Sequence, residues 1–431
     1  MASPSPTHSA SPPPNPLANR RDARFVATFE PTEWEELYFP GMLHPVDLGD
    51  TFLDGKYRVI RKLGDGSSST VWLAVSSGYP KYVVLKVLRA DAPLDVTKTT
   101  VMQHLLTAGR EDPGLQYIRK QLESFIHSGP NGTHQCYVSE VMGASADTMK
   151  RDMVENRGKN DRRLPVWMVK KLLLHSLHAL AFMHRHGVVQ ADFQPENLLF
   201  ELESIEGLDE EELKQDVSGT EPSALNTHIP LERIDGKVDL WAPKTLYHGQ
   251  SLHERVPRNA DLRVKLSDFE GSFFESDPPP EPAVCIGLRA PELILERPFT
   301  NSIDIWSFGC LIYEFLANET LFFLISWGMK VPSEDDKHLC LLNDTIQRLP
   351  EDIMKDWPRA SEHYDADHKY IGKPTRTPNK VLEVRFAERR HPDIGDEEAA
   401  VICQLIRKIL VYDPDERPSA EELLKHPWFS E

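Results

Sequence analysis

Four short runs of residues carry groups suited to phosphate and cation chemistry. The first is Leu63-Gly64-Asp65-Gly66, continuing to Thr70-Val71, between two strand-like stretches. Its glycines allow a tight turn and bring backbone N–H groups close to phosphate oxygens. An ordinary β-hairpin would read the same way. The second run is Val84-Leu85-Lys86-Val87. A lysine inside a buried strand is costly unless its charge meets a partner, and phosphates supply one. The alternative is an edge strand with Lys86 turned to solvent. The third run, Gln190-Ala191-Asp192-Phe193-Gln194-Pro195-Glu196-Asn197, offers a carboxylate that can accept a hydroxyl proton and an amide oxygen that can ligate a divalent cation. The fourth, Val264-Lys265-Leu266-Ser267-Asp268-Phe269, reads as a strand ending in an aspartate that can hold a cation between phosphates. Each run alone is ambiguous. Their order along one chain is the signal.

The elements that would position these groups divide the chain. Short β-branched runs at Tyr57–Ile60, Thr70–Ala74 and Tyr82–Val87 predict strands, separated by glycine- and serine-rich turns. A helix is expected over Val96–Thr107 and a strand over Gln135–Val141. Beyond them the pattern is helical. Val166, Val169, Leu173, Leu177, Leu180 and Met183 recur at helical spacing before Gly187. Asn301–Asn318 is apolar nearly all round, which predicts a buried helix. Glu397–Leu410 and Ser419–His426 complete a helical region. The expected fold class is therefore α+β, with a small β-rich lobe at 57–142 and a larger α-helical lobe at 143–431. Residues 1–25 are rich in Ser and Pro and predict a disordered tail, and 26–56 an ordered lead-in. Residues 201–260 carry an acidic run followed by mixed Gly, Pro and His, and read as a partly disordered insertion.

The bulk numbers narrow the function classes. A net charge of −18 disfavours a general nucleic-acid-binding surface and is compatible with basic substrates. No run approaches the ~18 uninterrupted apolar residues of a membrane span. The Ser/Pro-rich start has no signal-peptide core, which argues for cytoplasm or nucleus. The five cysteines are scattered, with no CxxC pair, so neither a disulfide framework nor a zinc site is indicated.

The ordered set of motifs resembles the protein-kinase family, over about residues 36–431. The resemblance implies the two-lobed kinase fold, ATP and Mg²⁺ as cofactors, and protein substrates. It implies that Gly64 and Gly66 form the glycine-rich loop and that Lys86 grips phosphates. Leu63, Val71, Glu140 and Met142 would complete the ATP site. Asp192 would be the catalytic base, with Asn197 and Asp268 as metal ligands. Ala290-Pro291-Glu292, Asp304 within Asp304-Ile305-Trp306, and Arg417 match the family's structural positions. Within kinases the chain is most similar to the SR-protein kinases and their divergent fungal relatives. Supporting stretches are His44-Pro45-Val46-Asp47-Leu48-Gly49-Asp50, the run from Ser128 to His134, and Glu140-Val141-Met142-Gly143. That likeness implies Ser/Thr phosphorylation of Arg/Ser-rich splicing proteins. It also implies activity without activation-segment phosphorylation. A monomer is expected, with no direct contact to nucleic acid or membrane.

Several positions depart from the family pattern. Val96–Leu106 contains no Asp or Glu to pair with Lys86; Gln103 is the nearest polar substitute, and Met102 the other candidate for that position. Gln190 and Ala191 replace the usual His and Arg before the base. Gln194 replaces a lysine, Cys285 a threonine, and Glu270 a glycine, with Gly271 following. Ser139 falls at the gatekeeper position. These changes predict slow turnover, and they keep a second function class open: a pseudokinase scaffold that binds partners and nucleotide without transferring phosphate.

Overall fold

The computed structural model describes residues 23–28, 31–66, 68–92, 96–152, 163–217, 228–324, 332–371 and 380–429. The chain divides into two compact units. The first is drawn from 1–95, 120–143 and 202–255, the second from 96–119, 144–201 and 256–431. The units do not follow the linear division expected from sequence. Residues 96–119 group with the second unit, and most of the insertion groups with the first.

The first unit is built on a six-stranded antiparallel sheet. Its strands are β1 (Thr51–Phe52), β2 (Tyr57–Asp65), β3 (Ser69–Ser76), β4 (Tyr82–Leu88), β5 (Gln121–Gly129) and β6 (Gly132–Ser139), in the order β1-β2-β3-β4-β6-β5. Successive residues alternate between two apolar clusters. Val59, Trp72 and Ala74 pack with Val46, Phe52 and Leu85 on one side. Ile60, Leu73 and Tyr82 pack with Ile205, Leu213 and Leu252 of the insertion on the other. A strand that is apolar on both faces needs two covers, and the insertion supplies the second.

Two expectations change here. Arg24 and Phe25, assigned to the disordered tail, are buried. The Glu36 carboxylate accepts from the Arg24 and Phe25 backbone N–H groups and from Arg24 Nε at 3.0 Å. Arg24 also pairs with Asp239 at 3.1 Å. Long-range charge pairing of this kind leaves no trace in local composition. The remainder of that tail, 1–22, lies outside the described residues. The insertion, too, is held by specific contacts over much of its length. Two strands, β7 (His228–Pro230) and β8 (Thr245–Tyr247), pair antiparallel, and Leu246 packs with Tyr38 and Leu43 of the lead-in. Residues 218–227 of the insertion lie outside the described residues.

The second unit is mainly helical. Its helices include α1 (Val96–Ala108), α2 (Ala146–Asp152), α3 (Val166–Arg185), α4 (Ser302–Ala317), α5 (Pro332–Thr345) and α6 (Asp396–Ile409). Helix α3 is long and apolar enough by composition to cross a membrane, yet 61% of that window is buried inside the protein. It is a core helix. Helix α4 is buried along almost its whole length. It crosses α6 closely at Gly309, where a Cβ would lie 2.6 Å from the Ile409 side chain. Two strand pairs fix the loops of interest. Leu198–Phe200 pairs with Val264–Leu266, and Val188–Val189 pairs with Phe273–Phe274. The loops 190–197 and 267–272 are thereby anchored at both ends against each other.

Candidate active site

In the second unit, the Asp192 loop is shaped from below by α4. Asp304, 1% exposed, accepts from the backbone N–H of Gln190 at 2.9 Å and of Ala191 at 2.8 Å. Its Oδ2 also lies 2.9 Å from His184 Nε2. Ala191 has φ +61°, a conformation costly for a residue with a Cβ. Two hydrogen bonds to one buried carboxylate hold the chain there, and the turn directs the next residue, Asp192, out of the fold.

Asp192 is half-buried and its carboxylate is fixed by two amides. Gln194 Nε2 donates to Oδ1 and Asn197 Nδ2 donates to Oδ2, each at 2.8 Å. Asn197 Nδ2 also donates to the Asp192 carbonyl at 2.8 Å. Both amide hydrogens of Asn197 are thus committed, and its Oδ1 is the coordinating atom that remains. Asp268 follows the strand Val264–Leu266 and has φ +56°. Its neighbour Ser267 donates its backbone N–H to the Asn197 carbonyl at 2.8 Å, and its hydroxyl to the same oxygen at 3.0 Å. The Asn197 amide and the Asp268 carboxylate therefore stand at adjoining strand ends. Oxygen donors of this type fit a hard divalent cation.

Gln190 was expected to weaken this region, and the geometry reports otherwise. Its side chain is fully buried. Nε2 donates to the Asp268 carbonyl at 2.9 Å, and Oε1 accepts from the Ser272 hydroxyl at 3.0 Å. An amide carries a donor and an acceptor, so it ties the two loops together without a charge. Ser272 is the other partner of this bridge. It is 6% exposed, and its hydroxyl is engaged here. Gly271 also went unnoticed as a contact. A Cβ there would lie 3.3 Å from the Asp192 Cβ. The surrounding sequence gives no signal for that approach, since it depends on how two loops pack.

Near Asp192 stand the carboxylates Asp147, Glu196 and Glu314, with Arg151 paired to Asp147 at 3.1 Å and Lys150 to Glu314 at 3.8 Å. Partial desolvation of its exposed side chain, then the charges of Asp147 and Asp192, push the Glu196 carboxyl above its ordinary value, with Arg151 opposing. Burial also raises Glu314; Lys150 opposes the shift, and Glu196 and Asp147 add to it. Partial desolvation, then the Glu196, Asp192 and Glu314 carboxylates, raise the Cys285 thiol, so it stays neutral near pH 7. Further out, Arg417 and Glu292 form a buried bidentate pair at 2.6 and 2.8 Å.

In the first unit, β2 and β3 form the hairpin that carries the glycine loop. Gly64 lies opposite Val71, and Gly66 N–H donates to the Ser69 carbonyl at 3.0 Å. Leu63, the residue before Gly64, packs with the second apolar cluster. The edge-strand alternative for Lys86 does not hold. β4 is interior, with Lys86 opposite Val71 of β3 and Tyr137 of β6, and half-buried. Ser139 closes β6 and is buried. Beyond it, Met142 is buried, and Glu140 exchanges hydrogen bonds with the Lys120 backbone at 2.7 and 3.1 Å. In α1, Gln103 is exposed and Met102 is buried, so the polar substitute considered from sequence lies on the solvent face.

A family model for the protein kinase domain matches residues 57–214 and 255–429. The chain belongs to the protein kinase family. A protein kinase domain uses ATP, generally with a divalent metal, and acts on protein substrates. The chain is 27% identical over 408 residues to the serine/threonine-protein kinase SRPK of Physarum polycephalum, covering 93% of this chain and 91% of that one. It is 26% identical over 473 residues to the protein kinase dsk1 of Schizosaccharomyces pombe, covering 92% and 84%. Among solved structures, the kinase domain of PF14_0431 matches with a TM-score of 0.60 at 23% identity, over 89% of this chain and 98% of that one. That likeness bears on the kinase fold alone.

Proposed function

We propose that this kinase is an active serine/threonine protein kinase of the SR-protein-kinase type, using Mg²⁺-ATP and working in the cytoplasm or nucleus on Arg/Ser-rich proteins. The observation that carries this is the Asp192 carboxylate, held by Gln194 and Asn197 on a loop that Asp304 fixes. A chain that had lost its chemistry would have no need of that arrangement. In this reading Asp192 orients a substrate serine and accepts its proton. Asn197 and Asp268 hold Mg²⁺, which when bound neutralises charge on the transferring phosphoryl group. Gly64, Gly66 and Lys86 hold the nucleotide phosphates, with Leu63, Val71, Glu140 and Met142 around the adenine. Asp147, Glu196 and Glu314 near Asp192 outnumber the cations Arg151 and Lys150 beside them, which suits basic segments. The name of the Physarum relative, serine/threonine-protein kinase SRPK, points the same way.

The second reading, a scaffold without phosphotransfer, draws support from one observation: α1 has no acidic residue, and Gln103 is on its exposed face. One assay separates the two. Wild type and Asp192→Asn are compared with radiolabelled ATP on an Arg/Ser-repeat peptide and a generic basic protein. Transfer by wild type well above the variant, strongest on the Arg/Ser peptide, is expected. No transfer above the variant on either substrate would establish the scaffold instead.

A further inference from the structure

The family model leaves residues 215–254 unmatched, yet this stretch docks on the strand that feeds the glycine loop. Gln215 N–H donates to the Ile60 carbonyl at 2.8 Å, and its Oε1 accepts from Lys62 N–H at 2.9 Å. Gln250 N–H donates to the Lys62 carbonyl at 2.9 Å. Here the β2–β3 register slips twice, between Val59 and Arg61 and between Lys62 and Gly64. The insertion thus satisfies main-chain groups of an irregular strand. Its two passes are clipped together. Gln215 Nε2 donates to the His248 carbonyl at 3.0 Å, Gln250 Oε1 accepts from Asp216 N–H at 2.9 Å, and Gln250 Nε2 donates to the Asp216 carbonyl at 2.8 Å. Beneath them, Leu213 and Leu252 pack with Ile60 and Leu73.

The tightest contact falls on the loop itself. A Cβ at Gly249 would lie 3.1 Å from Gly64 Cα and from the Leu63 carbonyl, and 3.3 Å from Gly64 N. These are backbone atoms and cannot step aside alone. From the other side, Lys62 is wholly buried, paired with Glu33 of the lead-in and 3.2 Å from Asp65, the residue between the two glycines.

We propose that Gly249, Gln250 and Gln215 are positioning residues for ATP, and that this insertion sets where the glycine loop sits. The inference rests on the assignment of that loop to the phosphates. A loop that must bring N–H groups to phosphate gains affinity from being held in place beforehand. In this kinase the hold comes from a segment outside the family pattern.

The test uses the full chain and two variants. Gly249→Val drives a side chain into Gly64, and Gln250→Ala removes both clip bonds while keeping the main-chain donor. Gly207→Val, where a Cβ meets nothing within 4 Å, is the control. Binding of Mg²⁺-ATP is titrated with a fluorescent nucleotide, and KM for ATP and for peptide are measured separately. Thermal unfolding identifies any variant that fails to fold, in which case the other variant decides. The expected result is ATP affinity roughly tenfold weaker for Gly249→Val and a smaller loss for Gln250→Ala, with peptide KM and the control unchanged. Equal ATP affinity in wild type and the folded variants, or a fall in kcat alone, would overturn the inference. Wild type that binds no ATP would overturn the site assignment and the inference with it.

Discussion

The Gln190 side chain donates to the main-chain carbonyl of Asp268 at 2.9 Å and so joins the Asp192 loop to the Asp268 loop. Gln190→Ala would leave that carbonyl and the buried Ser272 hydroxyl without this partner. An unsatisfied buried polar group costs about 1–3 kcal/mol. Lower unfolding midpoints and a lower kcat are expected together. Gln190→His, whose neutral ring also carries a donor and an acceptor but at a different spacing, should recover part of each.

Asp192→Asn keeps the shape of the side chain and removes its basicity. Turnover should fall by about 10²–10⁴-fold. Nucleotide affinity, measured by titration, should stay within error of wild type. Retention of full activity would show that another group takes the proton.

Gln194→Lys would place a cation where an amide now touches Asp192 Oδ1 at 2.8 Å. Charge-assisted hydrogen bonds are roughly twice as strong as neutral ones, and a cation also favours the developing negative charge of the transition state. A several-fold rise in kcat is expected. A fall in kcat would mean that the amide's bond to Asp192 is better matched to this site than a cation.

Arg417→Leu breaks a pair whose side chains are almost wholly enclosed. Leaving the Glu292 carboxylate buried and uncompensated should cost about 3–5 kcal/mol. Chemical denaturation of the purified chain reads this directly.

His44 offers a pH test. Burial, then the neighbouring His127 and His134 rings, depress its pKa to about 3. The rings lie 4.6 and 4.9 Å away, and Asp50 acts on His127 with the opposite sign. The folded state therefore resists a proton that the unfolded chain takes up below about 6.5. Stability from this group is present above that value and is lost as pH falls toward 3. The loss is up to about 1.4 kcal/mol per pH unit. His44→Phe should flatten the acid limb of a stability-against-pH curve. An unchanged slope would place the sensitivity elsewhere.

Much of this site was legible in the chain. Glycine, lysine, aspartate and asparagine at Gly64, Gly66, Lys86, Asp192, Asn197 and Asp268 are recognisable because their chemistry depends on residue type and order. The helices Val166–Arg185 and Ser302–Ala317 were readable because apolar periodicity is local. The strand Gln121–Gly129 was not, since its faces are mostly half-exposed and carry little alternation. Helix Pro332–Thr345 was missed for want of a continuous apolar stripe.

Residue types and their order by themselves determined the family, the α+β composition and the motifs from Gly64 to Asp268 that the proposed function assigns to ATP and metal. Tertiary structure alone decided what each departure means. Gln190 bridges the two loops, because an amide donates and accepts at once. Gln103 does not present itself as a buried partner, because it lies on the exposed face of its helix. The insertion, a stretch of mixed polar composition, became a brace for the glycine loop. Its bonds join residues far apart in sequence through main-chain atoms that every residue shares, so no local pattern of side chains could announce them.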